Sequence, residues 1–159
     1  MKTTFFLTAL LIFSFTTQAQ DQTKTYTDDK AGFSLEFPVR WTTEQNYLGT
    51  HVMSLSPLKD KEDVYRESVS VIAENLPNPV ILQKYYEMYL KIMQETLKEF
   101  KIINTTPVVI SEQPAIKLVA QYAMSGQILT VEEYFVTKKS KGFIITCASL
   151  TSSYDEFRP

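Results

Sequence analysis

The chain contains one cysteine, one histidine and only four glycines, which lie apart from one another. A lone thiol cannot close an intramolecular disulfide, so packing alone must hold the fold. His51 and Cys147 are too few ligands for a zinc site, which takes three or four. Scattered glycines exclude a phosphate-cradling loop, and Ser54 and Ser56 lack the flanking glycines of a nucleophile elbow. Positive charge is not in excess either. Sixteen Lys and Arg against 18 Asp and Glu leave a net charge of −2, which gives no electrostatic footprint for non-specific nucleic-acid binding.

What is present suits one globular domain. The 159 residues are 44% hydrophobic and 13% aromatic, mostly Phe and Tyr, a composition that favours strands and a filled core over disorder. The first residues read as an export leader rather than as part of that domain. Lys2 supplies a positive start, Phe5 to Phe15 an apolar run, and Thr17 and Ala19 the small residues of a cleavage site before Gln20. The run is short of the about 20 apolar residues that span a bilayer. The expectation is therefore a signal peptide at residues 1–19, a single domain at 20–159, no stable membrane span after cleavage, and a secreted or periplasmic location. Removing the leader takes away Lys2 and no acid, moving the net charge to −3.

Along the mature chain, residues 20–24 are polar and read as a loose leader into the domain, which begins at Tyr26. Phe33, Leu35 and Phe37 alternate with Ser34 and Glu36, the period-two mark of a half-buried strand, ending at Pro38. His51 to Leu58 is a second strand, with Met53 and Leu55 on one face. Glu67 to Ala73 is a third, with Val69 and Val71 set against Ser68 and Ser70. Asn78-Pro79 then opens a helix that the spacing of Leu82, Tyr86, Tyr89, Met93, Leu97 and Phe100 carries to about residue 100. Its wide apolar stripe predicts that it lies on a sheet. Four strands follow, at Ile102–Ile110, Ala115–Met124, Leu129–Phe135 and Phe143–Leu150. Short turns join them into an antiparallel meander. Ser152 to Phe157 begins like a capped helix and stops at Pro159, which predicts a C-terminal helix cut short. The order gives an α+β fold, an antiparallel sheet meander flanked by helices and lacking its last helix.

The segment Tyr26–Trp41, with Gly32-Phe33, Pro38 and Trp41 in series, resembles the opening of PsbP-like and DcrB-like domains. The central helix before a meander and the Phe143–Cys147 strand, followed by an aromatic-acidic turn at Tyr154 to Phe157, are similar too. The resemblance covers about residues 26–159. It implies an α/β/α sandwich that closes with a further helix, and roles in binding or assembly rather than catalysis.

Candidate sites are few. A Cys147–His51 nucleophilic pair is conceivable, but Cys147 falls mid-strand among apolar residues, where a buried inert thiol is the ordinary state. Asp28-Asp29 and the Asp60, Glu62 and Asp63 loop could hold a hard cation, yet neither fits a calcium loop and both read as solvated turns. Glu132-Glu133 lies in a strand, with Glu132 or its neighbour exposed and paired with Lys117. Tyr85, Tyr86 and Tyr89 read as core and rim. The expectation is a non-catalytic, monomeric binding or assembly module of the cell envelope without a cofactor. Its partner is an unidentified protein or small molecule, and Trp41, Tyr47 and Tyr65 are its possible interaction surface. The alternatives are a small metal-dependent or hydrolytic enzyme, which needs a cavity converging on His51, Cys147 or the carboxylates, and a small-molecule or lipid carrier.

Overall fold

The structure, a computed structural model, describes residues 22–157. The expected leader at residues 1–19 and the last two residues of the chain lie outside the described residues.

Strands β1 (Thr23–Asp28) and β2 (Phe33–Pro38) form an antiparallel hairpin of their own. Strands β3 (Thr42–Gln45), β4 (Val52–Leu55) and β5 (Ser68–Asn75) come next, then helix α1 (Leu82–Thr96). The meander follows as β6 (Lys98–Ile110), β7 (Gln113–Met124), β8 (Gln127–Lys138) and β9 (Lys141–Leu150), and a single turn of helix, α2 (Tyr154–Phe157), ends the described chain. Apart from the hairpin, all strands join one seven-stranded antiparallel sheet in the order β3-β4-β5-β9-β8-β7-β6.

The turns of the meander are tighter than the sequence pattern suggests. Ser111-Glu112 and Ser125-Gly126 both carry two positive φ values, +46° and +65°, then +53° and +81°. That is the type I′ geometry whose twist matches the flanking strands. Pro107 sits inside β6 opposite Ile116. It is tolerated because β6 is an edge strand, where one side of the backbone needs no ladder donor.

Four readings of local structure are corrected. Residues 23–24, read with 20–22 as a loose leader, instead open β1, which pairs with β2 from Thr23↔Pro38 to Asp28↔Phe33. Helix α1 starts at Leu82, not at Asn78-Pro79, and no side chain caps it. Val80 and Ile81 are β-branched and favour extended backbone, and Ile81 is extended at φ −67°, ψ 142°. The helix also stops at Thr96 rather than near Phe100, because Lys98 onward pairs with β7 and Leu97 is already extended. Leu97 and Phe100 still reach the core, so their spacing reads as helical although their backbone is not. Finally, the fully buried residues of β4 are Val52 and Ser54, with Met53 and Leu55 only half-buried.

The sheet has two differently covered faces. On one, α1 lays Tyr85, Tyr86 and Met93 over Leu118, Ala120, Val131, Phe135 and Ile144. The Tyr85 and Tyr89 hydroxyls both donate to Glu74 Oε1, at 2.7 and 2.6 Å. Glu133 shares this face with Val131 and Phe135, since alternate residues of a strand point the same way. It has no hydrogen-bond or ion-pair partner among the described residues, and burial pushes its carboxyl up to about 7. On the other face the β1–β2 hairpin packs Phe37, Phe33, Leu35 and Tyr26 onto Val52, Val69, Val71 and Ile145. The hairpin covers β4, β5 and part of β9, while α2 packs at β9. Between hairpin and α2 lies the site described next.

Candidate functional site

The hairpin-side face of β8 and β9 is built by strict alternation. Cys147 lies opposite Val69 of β5 on one side and Glu132 of β8 on the other. Tyr134 stands two residues along from Glu132, and Lys117 of β7 lies opposite Tyr134. Val69, Cys147, Glu132 and Glu67, with Trp41 and Pro38 from the end of the hairpin, and Tyr154 and Phe157 from α2, line a cleft of about 260 Å³ whose wall is mainly apolar; Tyr134 and Lys117 stand behind Glu132.

Two buried carboxylates border the cleft. Glu132 is 3% exposed and accepts from Lys117 Nζ at 2.8 Å, Tyr134 OH at 2.6 Å and Tyr154 OH at 2.5 Å. Burial alone would raise its pKa, but those three donors and the Lys117 charge outweigh burial and hold it below the ordinary carboxylate value. Burial, and then the bond to Glu132, raise the Tyr134 hydroxyl well above the usual phenol. Glu67 is 4% exposed and accepts from Ser56 Oγ at 2.9 Å and Ser153 Oγ at 3.0 Å. Ser153 and Tyr154 thus clip the C-terminal turn onto both acids at once.

The pairing of Glu132 with Lys117 is as the sequence suggests, but the exposure expected of it is corrected. The Glu132 side chain is closed in by the two tyrosines, one of them more than twenty positions away in the chain. Sequence reasoning also missed Glu67. Extending the alternation of Val71 and Val69 by one step would have placed it on the buried face.

The reactive-pair candidates separate. His51 accepts from the Ala73 N–H through Nδ1 at 3.2 Å and lines a different, polar cavity of about 350 Å³ with Asp28, Lys30, Glu74 and Lys141. Cys147 lines the apolar cleft, where burial, and then the Glu132 charge, push its thiol up to about 11. The acidic turns are engaged with backbone. Asp28 Oδ1 accepts from Ala31 N, Asp60 Oδ1 from Glu62 N and Asp63 N, and Asp63 from Lys59 N and Tyr65 N. Among the described residues no group of three or more His, Cys, Asp and Glu could hold a metal ion, and no helix is long and apolar enough to cross a membrane.

Of the three expected surface aromatics, Trp41 is the one that lines the cleft, with its backbone carbonyl accepting from Lys24 Nζ at 2.7 Å. Tyr47 is 41% exposed beside Leu48, which is 79% exposed, in the β3–β4 turn. Tyr65 is half-buried, and burial, followed by the charges of Tyr122 and Glu67, raises its hydroxyl to about 12.

Solved structures share this fold. Cyanobacterial PsbP from Synechocystis sp. PCC 6803 superposes with a TM-score of 0.63 at 15% identity, covering 91% of this chain and 90% of that one. LpqN of Mycobacterium tuberculosis, involved in cell envelope biogenesis, gives 0.61 at 12% identity, over 88% and 79%. A Pseudomonas aeruginosa protein of unknown function gives 0.58 at 16%, over 84% and 87%. At these identities the likeness is one of fold. No curated protein matches by sequence. The model of the PsbP-like protein family matches residues 13–158, and the chain belongs to that family.

Proposed function

We propose that the domain is a non-catalytic binding or assembly module of the cell envelope, working outside the cytoplasmic membrane, and that it takes its ligand in the cleft beneath Trp41. One observation carries this reading. The cleft is concave and largely apolar, while its few polar groups are held in place by hydrogen bonds. A ligand site needs that combination of apolar wall and few placed polar groups. A catalytic site needs a group poised to gain or lose a proton, or an activated nucleophile. Here the acid is held ionised by three donors and the thiol is held protonated. The leader read at residues 1–19 supports an extracytoplasmic location, as does the fold shared with LpqN, a protein of cell envelope biogenesis.

The test is site-specific photo-crosslinking in intact cells. Benzoylphenylalanine replaces Phe157 at the cleft or, as a control, Ile103 on the outer strand β6. The expected result is a discrete adduct from position 157, in the envelope fraction, and none from position 103. Labelling from 103 alone, or protein confined to the cytosol, rejects the proposal.

A further inference from the structure

The geometry points to a small amphiphilic organic cation, a protonated amine on an apolar body, as the ligand of the cleft, with Glu67 as the carboxylate that receives it. This assignment rests on the cleft being the binding site.

Three carboxylates surround the cleft and the cavity that adjoins it past Trp41. Two of them already show how this surface handles an ammonium group. Lys117 Nζ is bound to Glu132 and stands 5.5 Å from the centre of the Tyr134 ring. Lys59 Nζ is bound to Glu156 and stands 5.2 Å from the centre of the Phe157 ring. In both, a cation is held between a carboxylate and an aromatic face, an arrangement favoured by the ring quadrupole.

Glu67 is the third, and its partners differ. It is as buried as Glu132, but its hydrogen-bond donors are two serine hydroxyls. No ammonium or guanidinium lies within ion-pair distance of it among the described residues. Each carboxylate oxygen accepts more than one hydrogen bond, so Ser56 and Ser153 leave room for a charged donor. The aromatic faces are present as well, because Trp41, Tyr154 and Phe157 line the same cleft as Glu67. Tryptophan is the strongest cation acceptor of the aromatic side chains.

The same features turn away other ligand classes. An anion would face Glu67 across a poorly solvated gap, where like charges repel strongly, while the Lys117 charge is already taken up by Glu132. A neutral apolar ligand would seal Glu67 away from water without an ion-pair partner, since the Lys59 charge that reaches it is bound to Glu156, which is costly. At about 260 Å³ the cleft falls just under the range of pockets for drug-sized molecules, about 300–1,000 Å³, so the cation is a small one.

Trp41 is the only tryptophan in the chain, so its fluorescence reports on the cleft directly. The purified protein is titrated with n-octylammonium, octanol and octanoate, each below its aggregation limit. A saturable change in Trp41 emission is expected with octylammonium, at least tenfold weaker with the neutral and anionic probes. Glu67→Gln, which keeps the shape and one serine bond and reverses the other, the amide N–H donating to the serine hydroxyl, is expected to weaken octylammonium binding at least tenfold and octanol binding hardly at all. Phe157→Leu serves if the first variant does not fold, with a loss of about threefold or more for the cation alone. Equal binding of all three probes, or a response unchanged in the variants, overturns the cation assignment and leaves the cleft standing as a site. No change in Trp41 emission with any probe overturns both.

Discussion

The ring of Tyr85 closes over the α-carbon of Gly142, so that a Cβ built at 142 would stand 2.5 Å from Tyr85 Cζ and 2.6 Å from its hydroxyl oxygen. The ring cannot swing aside. Tyr85 is fully buried against Phe135 and Tyr89, and Glu74 holds its hydroxyl. Gly142→Ala is therefore expected to lower unfolding free energy by about 1–3 kcal/mol, the usual cost of forcing an extra carbon into a packed core. Urea denaturation measures it. A neutral result would mean that α1 does not sit against the start of β9 as described.

Glu133 gives the domain a pH dependence opposite to the common one. Its carboxyl is raised to about 7 by burial, while in the unfolded chain it titrates near 4.3. Between those values the unfolded state has lost a proton that the folded state keeps, so stability falls as pH rises through about 4 to 7 and then levels off. The loss attributable to this group is at most about 4 kcal/mol. Glu133→Gln should be more stable than the parent at pH 8, with a flatter profile. Denaturation midpoints from pH 4 to 8 settle the matter, and identical profiles for the two proteins would refute it.

Lys117 and Glu132 work in the other direction. The Glu132 pKa is held down in the folded state, so its contribution is present above the unfolded value and is lost as pH falls through the folded one. Lys117→Met leaves a 3%-exposed carboxylate with two tyrosine donors and no cation. A loss of roughly 2 kcal/mol at neutral pH is expected, below the about 3–5 for wholly buried pairs because Lys117 keeps contact with water. Acid unfolding should also begin at higher pH, as followed by circular dichroism.

Cys147 is expected to resist alkylation. With a thiol at about 11, the thiolate fraction at pH 8 is about two orders of magnitude below that of an ordinary cysteine near 8.5. Iodoacetamide labelling should be slower by about that factor in the native protein and should reach the ordinary rate in denaturant. Fast native labelling would show that the cleft opens.

The strands of the meander were legible because period-two alternation survives wherever one face is buried, as in Ile116, Leu118, Ala120 and Tyr122. The α+β class followed from them. The ends of α1 were not legible. Leu97 and Phe100 keep helical spacing while lying in a turn and a strand, and the pairing that claims Lys98 is made with Ala123, far along the chain. β1 was hidden because Thr23, Lys24 and Thr25 carry no apolar signal, and their register comes wholly from β2. The cleft was half-visible. Trp41 and the Lys117–Glu132 pair could be named, but Glu67 meeting Ser153, 86 positions away, is a product of tertiary closure that no local pattern contains.

The placement of β9 between β5 and β8 also sets the order of events during synthesis. The last of the described strands to leave the ribosome is the one that joins the early strands to the meander. Until Lys141–Leu150 has emerged, β5 has no neighbour on that side, and the α1 tyrosines lack Gly142 and Ile144 to close upon. Contacts of such long sequence separation form slowly. A nascent chain therefore stays open, with its early strands in need of shelter, until β9 has emerged.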